Sequence, residues 1–177
     1  MAGKLNGKRI LMIICPANFR DEEVLEPKAA FEGEGAEVTV ASTRAGHCRG
    51  MLGAVVHAES CVKDTKADDY DAVVVAGGAG SPQYLWDNAD VHKIVQGAKE
   101  LGKVIGAICL STAVLANAGI LQGIEATVYP TPESKSALAK GGAKYVPHDV
   151  VASGKIITAE GPGAAKKFAQ KIVEAMM

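Results

Sequence analysis

A surplus of either charge is missing from this sequence. Lysine and arginine number 19, aspartate and glutamate 20, and the formal net charge is −1. So balanced a chain carries no electrostatic footprint for nucleic acid or an anionic membrane. Aromatic residues are few, at 5%, in a composition otherwise ordinary for a soluble α/β protein, 48% hydrophobic and 22% charged. No apolar run approaches the roughly 20 residues that a membrane span needs. The basic start "MAGKLNGKRILMII" raises a signal peptide, but its apolar stretch, Ile10 to Ile14, is too short and runs on into Asp21, Glu22 and Glu23. The four cysteines, Cys15, Cys48, Cys61 and Cys109, form no CxxC pair and no zinc spacing. His47, His57, His92 and His148 match no ligand spacing either. A cytoplasmic, reducing setting with free thiols and no metal is the expectation. The glycine turns lack the phosphate-loop pattern, so no nucleotide cofactor is expected.

What is present alternates between two kinds of segment. "KRILMII" (8–14), "AEVTVAS" (36–42), "AVVHA" (54–58), "YDAVVVAGG" (70–78) and "KVIGAIC" (103–109) read as strands, most of them continuous apolar runs. Between and after them lie helical stretches at 21–36, 89–102, 111–119, 132–142 and 161–177. The last carries Phe168, Ile172, Val173 and Met176 as a core stripe. "EATVYP" (125–130) reads as a further strand, and "DVVASGKIITA" as a hairpin about Ser153 and Gly154. Such alternation predicts an α/β fold, a mostly parallel sheet with helices on both faces, in one domain spanning 1–177.

In that architecture ligands bind beyond the carboxyl ends of the strands. Three features are expected there: Cys15 with the loop "PANFRDEE", the turn "GGAG" at 77–80, and Cys109. A thiol opening a helix meets free N–H groups and a positive dipole end, which lower its pKa. A tight strand-to-helix elbow also lifts the side chain clear of the sheet, and "GGAG" can offer N–H donors to an oxyanion. A cysteine within an apolar run is equally a small packed hydrophobe. Pattern alone leaves both readings of Cys109 open.

"VVVAGGAG", "AICLSTAVLANAGIL" and "EGPGAAKKFAQKIVEAM", with "ANFRDEEVLEP" upstream, resemble the DJ-1/PfpI superfamily in order and spacing from about Lys8 to Met176. The resemblance implies a flavodoxin-like sandwich with an elbow cysteine, matched by Cys109. It also implies a glutamate four residues before a proline, hydrogen-bonded to that thiol, matched by Glu23 before Pro27. Without the resemblance, Glu23 reads as a solvated first-turn acid, as Asp21 and Glu22 do. Gly78 matches the backbone oxyanion donor, and Leu110 offers the next amide.

The departures narrow the function. Leu110 stands where the protease-like branch has a histidine, and Gln83 where it has an acid, so a base for peptide hydrolysis is missing. Tyr129-Pro130 stands where the glyoxalase and deglycase branch often has a histidine and proline, and Glu160 where some relatives have an arginine. The sequence thus points to a Cys109-dependent enzyme acting on small reactive aldehydes, with Tyr129, Cys15 and Glu160 as candidate pocket residues. Its alternatives are a redox-sensing stress protein or chaperone without turnover, and a PfpI-like intracellular peptidase borrowing a base from a neighbouring subunit. The resemblance further implies a homodimer or higher homo-oligomer; no cofactor is expected.

Overall fold

The computed structural model describes residues 3–177. In chain order its strands and helices are β1 (Arg9–Ile13), β2 (Ala17–Phe19), α1 (Asp21–Gly33), β3 (Glu37–Ser42), β4 (Gly46–Gly50), β5 (Val55–Ala58), β6 (Ser60–Cys61), β7 (Ala72–Val75), α2 (Ser81–Tyr84) and α3 (Ala89–Glu100). They continue with β8 (Val104–Ile108), α4 (Thr112–Asn117), β9 (Glu125–Ala126), α5 (Pro132–Lys140), β10 (Lys144–Tyr145), β11 (Val150–Ser153), β12 (Ile156–Ala159) and α6 (Ala165–Met176). The central sheet runs β11-β12-β8-β7-β1-β3-β6 and is parallel except for the β11-β12 hairpin. Its inner strands β7 and β8 are buried along their whole length, as strands covered on both faces must be. Helices α1 and α6 pack together on one face, α3 and α4 on the other.

The expected mostly parallel sheet flanked by helices is therefore the observed one. Two details differ from the sequence reading. The segment 54–58 leaves the main sheet and joins β2 and β4 in a three-stranded sheet, pairing antiparallel with β4 from Gly46↔Ala58 to Arg49↔Val55. Cys48 is thereby a buried residue of β4. The expected strand 125–130 shrinks to Glu125–Ala126, because the Thr127 N–H is taken by the Thr158 hydroxyl at 3.0 Å rather than by a neighbouring strand. In α1, Pro27 falls at the seventh position, where it lacks the N–H that would reach the carbonyl four residues back, that of Glu23.

Helix α6 lies on the sheet with Phe168, Ile172, Val173 and Met176 buried, as the stripe requires. Its close approach depends on Gly106 in the middle of β8. A Cβ there would stand 2.7 Å from Ile172 Cδ1 and 2.9 Å from Phe168 Cζ. Gly106→Val is expected to destabilise the fold by about 1–3 kcal/mol through overpacking. Urea denaturation checks this: an unchanged midpoint would mean that α6 has room to lift.

Candidate functional site

The site begins where β8 ends. Ile108 is still extended, with φ −133° and ψ 149°, but Cys109 turns to φ +61°, one of two non-glycine residues with positive φ among those described. A side chain in this left-handed region is strained and is held there by its surroundings. The Cys109 carbonyl accepts the Tyr129 N–H at 3.1 Å. The Leu110 carbonyl accepts the indole N–H of Trp86, the only tryptophan, at 2.8 Å. A short 3-10 turn, Cys109–Ser111, then leads into α4.

Opposite the elbow, the chain leaves β7 through Ala76 and enters the turn Gly77-Gly78. At Gly77 a Cβ would lie 2.6 Å from Glu23 Oε1 and from the Ile108 carbonyl, and 2.7 Å from Cys109 Cβ. Only glycine fits there. The Gly77 carbonyl accepts the Arg20 N–H at 2.9 Å, which brings the start of α1 against the same turn. Glu23 follows in the first turn of α1 and is fully buried. Its Oε1 accepts the Gly77 N–H at 3.0 Å, and its carboxyl meets Cys109 at the same glycine. The reading of Glu23 as a solvated acid is thus set aside. Its Oε2 is buried and has no hydrogen-bond partner within the protein.

The neighbouring acids behave differently from Glu23 and from each other. Glu22 pairs with Arg20, Nη2 to Oε2 at 2.9 Å. Asp21, expected in solvent, is buried and accepts the N–H groups of Leu52 at 2.9 Å and Ala54 at 2.8 Å, holding the β4-β5 turn against α1. Gly50 leaves the space for it, since a Cβ there would stand 2.4 Å from Asp21 Oδ1. Aspartate in a first helical turn gave no sign of that longer-range role.

Burial, and secondly the Glu23 charge, push the Cys109 thiol up to about 12, against hydrogen bonds from the Leu110 and Gly78 amides. The sequence predicts the reverse, a thiol lowered by a helix mouth. The difference is physical: α4 starts three residues later and is only six residues long, while Cys109 is 7% exposed beside a carboxyl. Burial likewise raises the Glu23 carboxyl to about 7, against hydrogen bonds from Cys109 and Gly77. Near neutral pH the carboxyl therefore gains and loses its proton while the sulfur keeps its own. Once Glu23 is protonated, its charge no longer opposes ionisation of the sulfur.

Cys109 opens onto a pocket of about 270 Å³ lined by Arg20, Met51, Gly78, Ala79, Leu110, Tyr129 and Pro162. The structure brings Cys109, Glu23, Gly78, Leu110 and Tyr129 together. It does not bring Cys15 there: that thiol is fully buried, pushed up to about 12 by burial and then by the Glu23 charge, and is not on the pocket wall. Glu160 lies next door with Asp149, in a pocket of about 340 Å³ that shares Tyr129 and Pro162 with the first. Gln83 is exposed and lines neither. Among the described residues no histidine lines the Cys109 pocket, and no group of three or more metal-binding side chains forms.

Comparison with known proteins gives a consistent result. The DJ-1/PfpI family model matches residues 8–175. An uncharacterised protein of Methanocaldococcus jannaschii is 45% identical over 97% of this chain and 84% of its own length. The glutathione-independent glyoxalase DJR-1.2 of Caenorhabditis elegans is 30% identical over 96% of this chain and 89% of its own. A solved structure of a ThiJ/PfpI domain protein from Brachyspira murdochii, 31% identical, reaches a TM-score of 0.90 and covers 99% of this chain and 98% of that one.

The raised Glu23 carboxyl has a consequence for stability. A carboxyl whose folded pKa lies above its ordinary value of 4.5 favours the fold most below pH 4.5 and loses that contribution as pH rises through about 7. Relative to Glu23→Gln, the parent protein is expected to lose about 2–3 kcal/mol between pH 4.5 and 8. Urea unfolding at both pH values checks this, and parallel pH dependence in the two proteins would place the carboxyl at its ordinary value.

Proposed function

Because the chain belongs to the DJ-1/PfpI family, we propose that it is a Cys109-dependent enzyme acting on small 2-oxoaldehydes such as methylglyoxal. Relatives named glyoxalases and deglycases support the general activity. The observation that carries the reading is the buried Cys109–Glu23 pair set at the wall of an open pocket, with two amides aimed at the sulfur.

The chemistry balances with these groups alone. The Cys109 proton passes to Glu23, and the thiolate adds to the aldehyde carbon. A C–S bond forms, and the carbonyl electron pair moves to oxygen, between the Gly78 and Leu110 N–H groups. Glu23 returns its proton to that oxygen, giving a hemithioacetal, and as a carboxylate it then takes the hydrogen from the same carbon. Through an enediol that hydrogen reaches the neighbouring carbon, leaving an S-lactoyl thioester. Water cleaves the C–S bond to give lactate and restore the thiol. Methylglyoxal plus water becomes lactate, with no external oxidant. Tyr129, 47% exposed, offers a phenolic O–H at the pocket edge and serves as a hydrogen-bond donor rather than a base.

A second reading rests on accessibility. Of the three buried thiols, Cys15 and Cys48 are sealed at 0% exposure, while Cys109 alone opens to the pocket. Two equivalents of hydrogen peroxide would carry it through sulfenic to sulfinic acid, releasing water at each step, and the same amides and carboxyl would hold the product. The peptidase reading has less support, since the pocket contains no imidazole to act as base.

Purified protein incubated with methylglyoxal is expected to form lactate. Cys109→Ser should abolish the reaction, and Glu23→Gln should lower kcat by about 10²–10⁴. Lactate at no more than the Cys109→Ser level would remove the enzymatic reading. Addition of about 32 mass units on mild peroxide treatment, absent in Cys109→Ser, would then favour the redox one.

A further inference from the structure

The hydrogen-bonded ladder between β7 and β8 stops at Val75↔Ala107. Just beyond it the two strands must deliver two separate residues, Gly78 and Leu110, to the one pocket onto which Cys109 opens. Here the backbones no longer hold each other, because Cys109 has turned to φ +61°. A side chain takes over. The Ser111 hydroxyl, fully buried, donates to the Ala76 carbonyl at 2.6 Å. A hydroxyl has one proton to give, so its second contact, 2.8 Å from the equally buried Ser81 hydroxyl, must be one in which Ser81 donates.

Ala76 and Ser81 are the two ends of the turn that carries Gly77 and Gly78. Ser81 also closes that turn, its N–H donating to the Gly78 carbonyl at 3.1 Å. One hydroxyl on the elbow thus grips the opposing turn at both ends. Between those ends lie the Gly77 amide that holds Glu23 Oε1 and the Gly78 amide that meets the sulfur. From the elbow side the same grip fixes Leu110, the residue before Ser111.

We infer that Ser111, with Ser81 behind it, is a positioning residue that sets the spacing of the Gly78 and Leu110 amides and of Glu23 about the Cys109 sulfur. Neither serine lines the pocket, so neither touches a substrate. Hydrogen bonds to a developing anion weaken steeply with misalignment, and removing the bridge frees the two turns to part. The inference rests on Cys109 being the reactive group of the proposed function, but not on the identity of its substrate.

The test follows Cys109 alkylation by iodoacetamide across pH, read on the Cys109 peptide by mass spectrometry. Ser111→Ala is expected to slow alkylation at pH 7 about fivefold or more, the rate equivalent of one hydrogen bond, and to move the pH profile upward. Ser81→Ala, which leaves Ser111 bonded to Ala76, should shift it the same way by about two- to threefold in rate. A purely structural role would lower the urea midpoint of both variants while their profiles superimposed on the parent's, and that result overturns the inference. If Ser111→Ala fails to fold, an unshifted Ser81→Ala profile overturns it equally. Alkylation needs no aldehyde, so a shifted profile in a protein that forms no lactate removes the glyoxalase reading alone. An unshifted profile in a lactate-forming protein removes only the role of the serines.

Discussion

Everything at this site is organised around a place with no room for a carbon atom. At Gly77 the first helix, the end of β8 and the elbow all come within the space that a single methyl group would fill. That crowding brings Glu23, from a helix on one side, against a thiol at the end of a strand on the other. The cost is backbone strain at Cys109, which the Tyr129 amide and the Trp86 indole help to hold in place. Packing, strain and acid–base chemistry are one arrangement here, since the contact that excludes a side chain at 77 is the contact that aligns the pair.

The electrostatics follow from burial more than from helix geometry. A short helix beginning three residues past the sulfur does little against a shell of apolar neighbours and an adjacent carboxyl. Both groups are pushed toward their neutral forms, and the amides of Leu110, Gly78 and Gly77 offset part of that cost. At rest the sulfur is therefore held as the neutral thiol. An exposed, permanently ionised sulfur would be more reactive at rest and less discriminating.

The sequence carried much of this in patterns that depend on neighbours along the chain. Continuous apolar runs marked the parallel strands, and the stripe at Phe168, Ile172 and Val173 marked α6, because burial on known periodicities leaves a local record. The elbow and the position of Glu23 were legible through family resemblance. Features made by distant partners left no such record. Asp21 looked like any first-turn acid until the amides of Leu52 and Ala54 came to it. The strand expected at 125–130 ended early because a threonine side chain from β12 intercepted its next amide. Cys15 sits near the right sheet edge in sequence terms, yet it is enclosed by the core, and only three-dimensional placement separates it from Cys109.

The Trp86 indole, bonded to the carbonyl of the residue after Cys109, gives the molecule a property unrelated to its chemistry. As the chain's only tryptophan, excited at wavelengths where the four tyrosines do not absorb, it provides emission with a single origin, one peptide unit from the sulfur. Changes in the elbow are therefore coupled to intrinsic fluorescence, and the state of this site can be followed optically without attaching a dye.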